Sequence, residues 1–398
     1  MKMHRSVSVA AGVAVMVLAV GCSGQKGSAS APSAKPRAAS PSGATDGRDP
    51  KVAQAAAEMT STEALRSPLT QIEASQMREK AIAILEGAAF DRWAMLRANA
   101  IEGLSAAPAR VEPIVRAGLA DENPGVRYVA TMTAGDLGFA TLRSPISSLL
   151  EDPDGSVRAS AICALVKFGE DPDRSPLARL LMRGDARTRA NAAFILGELG
   201  DPSALPMLRD AGKRLAAAGG DPSIGPGASR LLRLHVSLAM VKLGDEEMVQ
   251  TLRAALYPSA VEEVEGAVLA AQMLGEIRDE GAMAQLVRMV EYRVNGREDW
   301  TRYDGEAFLY PIELRLAAAT SLAKMGQPDG VYVGLLAEQS PEPTVRAQVA
   351  FLFGAVGGPP AARKLAAMMD DVDAQVRVAA AANLVRTLDG PRRGSRGR

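Results

Sequence analysis

The chain has 398 residues, with 46 Lys+Arg against 46 Asp+Glu and only 4% aromatics. This balance gives no field for nucleic acid or for an anionic membrane surface, and the length allows two ordinary domains or one elongated array. Abundant Ala and Leu with few aromatics suits packed helices and counts against sheets, where aromatic and β-branched residues concentrate.

The first element in chain order is a targeting segment over 1–21. Lys2, His4 and Arg5 precede an apolar run from Val7 to Val20, which is short for a bilayer span and ends in small residues. The phrase "AVGCSG" resembles a bacterial lipobox, although Ala19 stands where Leu is commoner. The resemblance implies that Cys22 is lipidated and begins the mature protein. Ser23 follows it where an Asp would signal inner-membrane retention, so the resemblance implies a lipid anchor in the outer membrane, facing the periplasm. An ordinary signal peptide with an incidental Cys is the other reading.

Residues 22–50 are rich in Gly, Ser, Ala and Pro, and almost nothing in them could be buried. They read as a lipidated, disordered tether spanning roughly 30 Å. With Cys22 acylated, Cys163 is the only thiol left, so no intramolecular disulfide can form and Cys163 reads as a small buried hydrophobe. Over 51–92, "VAQAAAEM" and "TQIEASQMREKAIAILEGA" read as helices, the second as an N-terminal cap or a degenerate first unit.

From 93 to 389 the chain repeats itself. Gly recurs at 138, 169, 200, 244, 275, 326 and 357, a base period of 31 interrupted by insertions of 13 and 20 residues. Eleven positions earlier stand Arg127, Arg158, Arg189, Arg233, Val264, Arg315 and Arg346, and Arg97 and Arg377 extend the series to nine units with atypical ends. Such ends are expected of a stacked array. Within a unit, Val126, Ala130, Ala134 and Leu137 share one helical face, as do Val157, Ala161, Leu165 and Phe168. Gly closes this first helix, and Pro145, Pro176 and Pro206 sit near the start of a second, where a missing N–H costs nothing. One helix pair cannot bury its own apolar face; stacked neighbours can. The unit length and its start pattern, an acid before Val-Arg with Ala following, resemble HEAT-like repeats of the phycobilisome-lyase type. The resemblance implies an all-α, right-handed solenoid and says almost nothing of function.

The Arg column has two readings, a cationic stripe for anions or a structural ladder. Asp154, Asp185, Glu342 and Asp373 each lie four residues before a repeat Arg, so Arg127, Arg158, Arg189, Arg315, Arg346 and Arg377 are expected to pair with acids in the turns between units. The family resemblance implies the same Asp–Arg ladder. Exposed rungs would be worth only ~0.2–1 kcal/mol each.

Chemistry is sparse. His4 leaves with the signal and His235 lies inside a repeat helix, so one His and one thiol are left. That excludes a Cys/His zinc site, a His-paired nucleophile and a His-based acid–base pair. No cofactor, metal or nucleic acid is expected. HEAT-type hydroxylases require His-Glu pairs, which this sequence lacks.

The two insertions break the monotony. Residues 213–229 read as a Gly/Pro loop between helices. Residues 291–311 hold Tyr292, Trp300, Tyr303, Phe308 and Tyr310 with Arg297, Arg302 and several acids. Either these aromatics cover an apolar edge, or Tyr292, Arg297, Trp300, Arg302, Tyr303 and Tyr310 form a partner site, aromatic and Arg side chains being the usual interface anchors. The tail over 390–398, with Arg392, Arg393, Arg396 and Arg398, reads as a basic disordered segment. Two function classes follow. One is a non-catalytic, membrane-anchored scaffold that binds a protein or peptide. The other is an envelope or glycan-processing enzyme using concave-face carboxylates such as Glu247 and Glu263. A closed cleft with split carboxylate pKa values would favour the enzyme, and an open groove the scaffold.

Overall fold

A computed structural model describes residues 50–61, 68–217, 219–291 and 310–389. Cys22 and its flanks, the basic tail, and Tyr292, Arg297, Trp300, Arg302 and Tyr303 lie outside the described residues. Among the described residues every regular element is helical, and no helix is long and apolar enough to cross a membrane.

Two helices precede the repeats, α1 (Pro50–Thr60) and α2 (Gln71–Ala88). The repeats follow as pairs: α3 (Ala94–Gly103) with α4 (Pro108–Gly118), α5 (Pro124–Leu137) with α6 (Arg143–Ser148), α7 (Gly155–Lys167) with α8 (Ser175–Arg183), and α9 (Ala186–Leu199) with α10 (Leu205–Ala216). Then come α11 (Gly225–Lys242) with α12 (Val249–Ala254), α13 (Val264–Glu276) with α14 (Met283–Glu291), α15 (Ile312–Lys324) with α16 (Val331–Ala337), and α17 (Pro343–Val356) with α18 (Gly358–Met368). The last described helix, α19 (Ala374–Asp389), begins a unit with no second helix after it among the described residues.

The first helices of all units pack side by side, whereas the second helices scarcely touch one another. Helices in direct mutual contact take the shorter circumference, so the first helices form an inner layer and the second helices an outer one. Inner helices are accordingly buried almost all round: α5 buries Val126 and an unbroken run from Tyr128 to Gly135. Outer helices bury one stripe, as α8 does with Leu177, Leu180 and Leu181.

The array does not end open. Helix α19 packs against α3, and α2 lies against both, where an outer helix stands in the other units. The nine inner helices therefore close into a ring, with the N-terminal helix completing the C-terminal unit. Ile82 and Leu85 of α2 are fully buried at this seam. Approach is so close that a Cβ on Gly103 would lie 2.7 Å from the Cβ of Ala382. Arg78 pairs with Asp389 at 3.0 Å, Lys80 with Asp370 at 2.7 Å, and Arg363 with Glu73 at 3.2 Å across it. Helix α1 packs on α16, burying Ala56 and Met59.

The structure corrects the repeat register in one unit. Gly138 caps α5 in the left-handed region (φ 69°), as do the glycines at 169, 200, 244, 326 and 357 in their units. In the sixth unit this place belongs to Arg278 (φ 53°), not to Gly275. Gly275 lies inside α13, where a Cβ would meet the Ser321 hydroxyl at 2.5 Å. Gly135, Gly197 and Gly354 make the same close approach to Ala164, Ala239 and Asn383 of the next inner helix. The first insertion is also less loop than expected, because α10 runs to 216 and α11 starts at 225.

Candidate functional site

The acids four residues before the repeat Arg are not the rungs. Asp154 accepts from the N–H groups of Ser156 (2.8 Å) and Val157 (3.2 Å), Asp185 from Thr188 N–H (2.7 Å), and Asp373 from Gln375 N–H (2.8 Å). They cap helices, which is what a short acid at that offset does best. Glu342 makes no side-chain cap bond. Asp154 also pairs with Arg187 at 2.6 Å. The rungs use the acid six residues before the next repeat Arg, where the turn enters the neighbouring unit. Arg97 grips Asp121, Arg127 grips Asp152 and Arg346 grips Asp371, each through two bonds of 2.7–2.8 Å. Arg189 reaches Asp221 at 2.9 Å and the Leu181 carbonyl at 2.9 Å. Arg158 and Arg377 tie down only carbonyls of their own turns. Arg315 donates to the Val290 carbonyl at 2.9 Å. Nor are the rungs uniformly exposed: Arg189 and Arg315 are each 1% exposed. This column is structural geometry, and Arg233 alone of it is exposed with no ion pair among the described residues.

Arg233 opens instead onto a groove of about 740 Å³ on the outer side, between α10 and α12 over α11. Leu205, Val236, Met240 and Met248 give it an apolar floor, and Gly212 leaves it room. Lys213 of α10 and Arg233 of α11 line it together with Glu246 and Glu247 of the turn before α12. Asp245 is taken by Arg209 at 2.7 Å. Glu247 thus lines an open groove, whereas Glu263 turns away to accept from Ser259 N–H at 2.8 Å, a bond that holds its carboxyl below the usual range.

On the inner side a second constellation lies two residues before each helix cap. There stand Asp136, Lys167, Glu198, Lys242, Glu276, Lys324 and Ala355, followed by Arg386 on α19. All of these stand at one register position on successive first helices. Asp136 pairs with Lys167. Lys242 bridges Glu198 at 2.6 Å and Glu276 at 2.9 Å, and Arg386 meets Glu102 of α3 at 3.2 Å across the seam. Burial pushes the Glu102 carboxyl up to about 7, Arg386 opposing and Asp136 adding to it. Nothing in the repeat pattern marks Glu102, since α3 lacks the cap from which the other positions are counted. The signal for the rest was legible: an acid or base alternating with Gly or Val before it, as in "GDLG", "VKFG", "GELG" and "VKLG".

The remaining sequence candidates are placed simply. Tyr310 is half-buried against the core, and its hydroxyl accepts from Gln285 at 3.2 Å. Cys163 is buried, and burial pushes its thiol up to about 12. His235 is buried with Nδ1 unpartnered, and desolvation brings it down to about 4. Among the described residues no group of three or more His, Cys, Asp or Glu could hold a metal ion.

The family of HEAT repeats matches residues 111–187, and the PBS lyase HEAT-like repeat matches residues 188–211. HEAT repeats thus occupy residues 111–211. Solved structures with a loose likeness to this HEAT array include human deoxyhypusine hydroxylase, at 18% identity over 71% of this chain and 96% of that one, with a TM-score of 0.34. The phycocyanin lyase complex of CpcE and CpcF from a Nostoc species matches at 17% over 69% of this chain and 94% of that one, TM-score 0.33. An engineered protein matches at 16% over 84% and 98%, TM-score 0.30. No curated protein matches the chain by sequence.

Proposed function

We propose that this HEAT-repeat protein is a non-catalytic adaptor of the bacterial envelope, anchored through an acylated Cys22 and binding a protein or peptide in the α10–α12 groove. The groove carries the reading. It is open and apolar-floored, and its charges are sorted by element: Lys213 of α10 and Arg233 of α11, and Glu246 and Glu247 before α12, make no ion pair among the described residues. Such a groove suits a segment with acidic residues toward α10 and basic residues toward α12, because unpaired wall charges reward a complementary partner and reject a reversed one. The lipobox over 19–22 and the Gly/Ser/Pro-rich stretch after it support anchoring on the outer membrane, facing the periplasm.

A photo-crosslinking residue placed at Gly212 or Met240 tests the groove in the native envelope. Both positions should yield the same discrete adduct, lost on Arg233→Glu. Adducts equal to those from a control position on α8 would refute the groove. Cys22→Ser should move the protein from the detergent phase to the soluble fraction; retention in the detergent phase would refute the anchor.

A further inference from the structure

The inner belt has one blank. Around the ring its signs run negative at Glu102 and Asp136, then positive at Lys167, negative at Glu198, positive at Lys242, negative at Glu276 and positive at Lys324. Ala355 follows, and then Arg386. On nine helices strict alternation must fail once, and it fails where Glu102 meets Asp136. The alanine at 355 is a second, separate break, and it leaves Lys324 and Arg386 flanking an uncharged position.

Lys167 and Lys242 each touch at least one carboxylate. Lys324 touches none among the described residues, and the acid that acts on it, Glu276, is already held by Lys242 at 2.9 Å. Arg386 engages Glu102 through Nη2 alone, so its Nε and Nη1 donors lack a protein acceptor among the described residues. Lys324 is half-buried, and desolvation lowers it from the usual lysine value, Arg386 adding to the shift against Glu276. Ala355 is only partly buried, so its methyl group is not sealed in the core. Elsewhere in the belt a carboxylate sits between successive cations, as Glu198 does between Lys167 and Lys242.

We propose that the gap over Ala355 binds a carboxylate group of a ligand, held between the Lys324 ammonium and the Arg386 guanidinium in place of the side chain the belt lacks. The site lies on the inner side of the ring and does not depend on the outer groove.

Thermal melts of the full chain in succinate and in chloride, at matched ionic strength and neutral pH, test it. The midpoint should rise saturably with succinate alone. Lys324→Met should abolish that rise. Ala355→Glu, which supplies the carboxylate internally at a partly exposed position, should raise the midpoint in chloride and leave succinate without further effect. Equal effects of succinate and chloride on the native chain overturn the proposal. So does a succinate increment that survives Ala355→Glu, which decides the matter even if Lys324→Met fails to fold. A free-acid tripeptide that competes with succinate where its amide does not would identify the source as a chain terminus. Absence of competition from either would identify it as a small free carboxylate.

Discussion

Leu85→Ala distinguishes a closed ring from an open array. Leu85 lies in α2, is fully buried, and has Cδ2 3.0 Å from where a Gly103 Cβ would stand, beside Ala382. Truncating a buried Leu costs 2–5 kcal/mol, through lost transfer energy and the cavity left behind, and about 3 kcal/mol suits a seam of two packed layers. In an open array, whose ends contact only their neighbours, such a defect frays the first units and spares the last. In the ring, α2 is the outer helix of α19, so the cost falls on residues 374–389 as well. Amide exchange read by mass spectrometry should show Ala374–Asp389 losing about two orders of magnitude of protection, at 1.36 kcal/mol per decade. Loss confined to residues 71–103, with 374–389 as protected as before, would refute the closure.

Arg127→Ala strips a two-bond partner from a nearly buried Asp152 and should cost about 3 kcal/mol in denaturant melts, against about 1 kcal/mol or less for Arg158→Ala, which has no carboxylate rung. Ala161→Leu should overpack the fully buried face of α7 by about 1–3 kcal/mol in the same melts. His235 falls from 6.5 to about 4 on folding, so the unfolded chain binds its proton first. Stability present above pH 6.5 is then lost as pH falls toward 4, by about 3 kcal/mol, and His235→Leu should flatten that limb. Glu102 runs the other way, from 4.5 to about 7. Its stability is full below about 4.5 and is lost as pH rises through 7, by about 3 kcal/mol, so Glu102→Gln should be the more stable chain at pH 8.

Sequence by itself determined the unit. The apolar spacing of Val126, Ala130 and Ala134, the glycine caps and the early prolines each act within one helix or one turn, so a period of 31 and an all-α repeat were readable without neighbours. Its errors fell where two residues looked locally alike. Gly275 and Arg278 both stand near the end of α13, and only packing against Ser321 separates a close-approach glycine from a cap. Likewise the acids at 152 and 154 lie in one turn, and which of them meets Arg127 is settled by how the next unit stacks. The groove and the belt divide in the same way. Alternating charges before each cap are written in the sequence, but that they form a ring, with Ala355 its gap and Glu102 its odd member, is not. Ring closure is a property of the sum of small rotations between units, and no single unit encodes that sum. Only the assembled tertiary structure brings α2 beside α19, and with it Glu102 against Arg386, 284 residues apart in the chain.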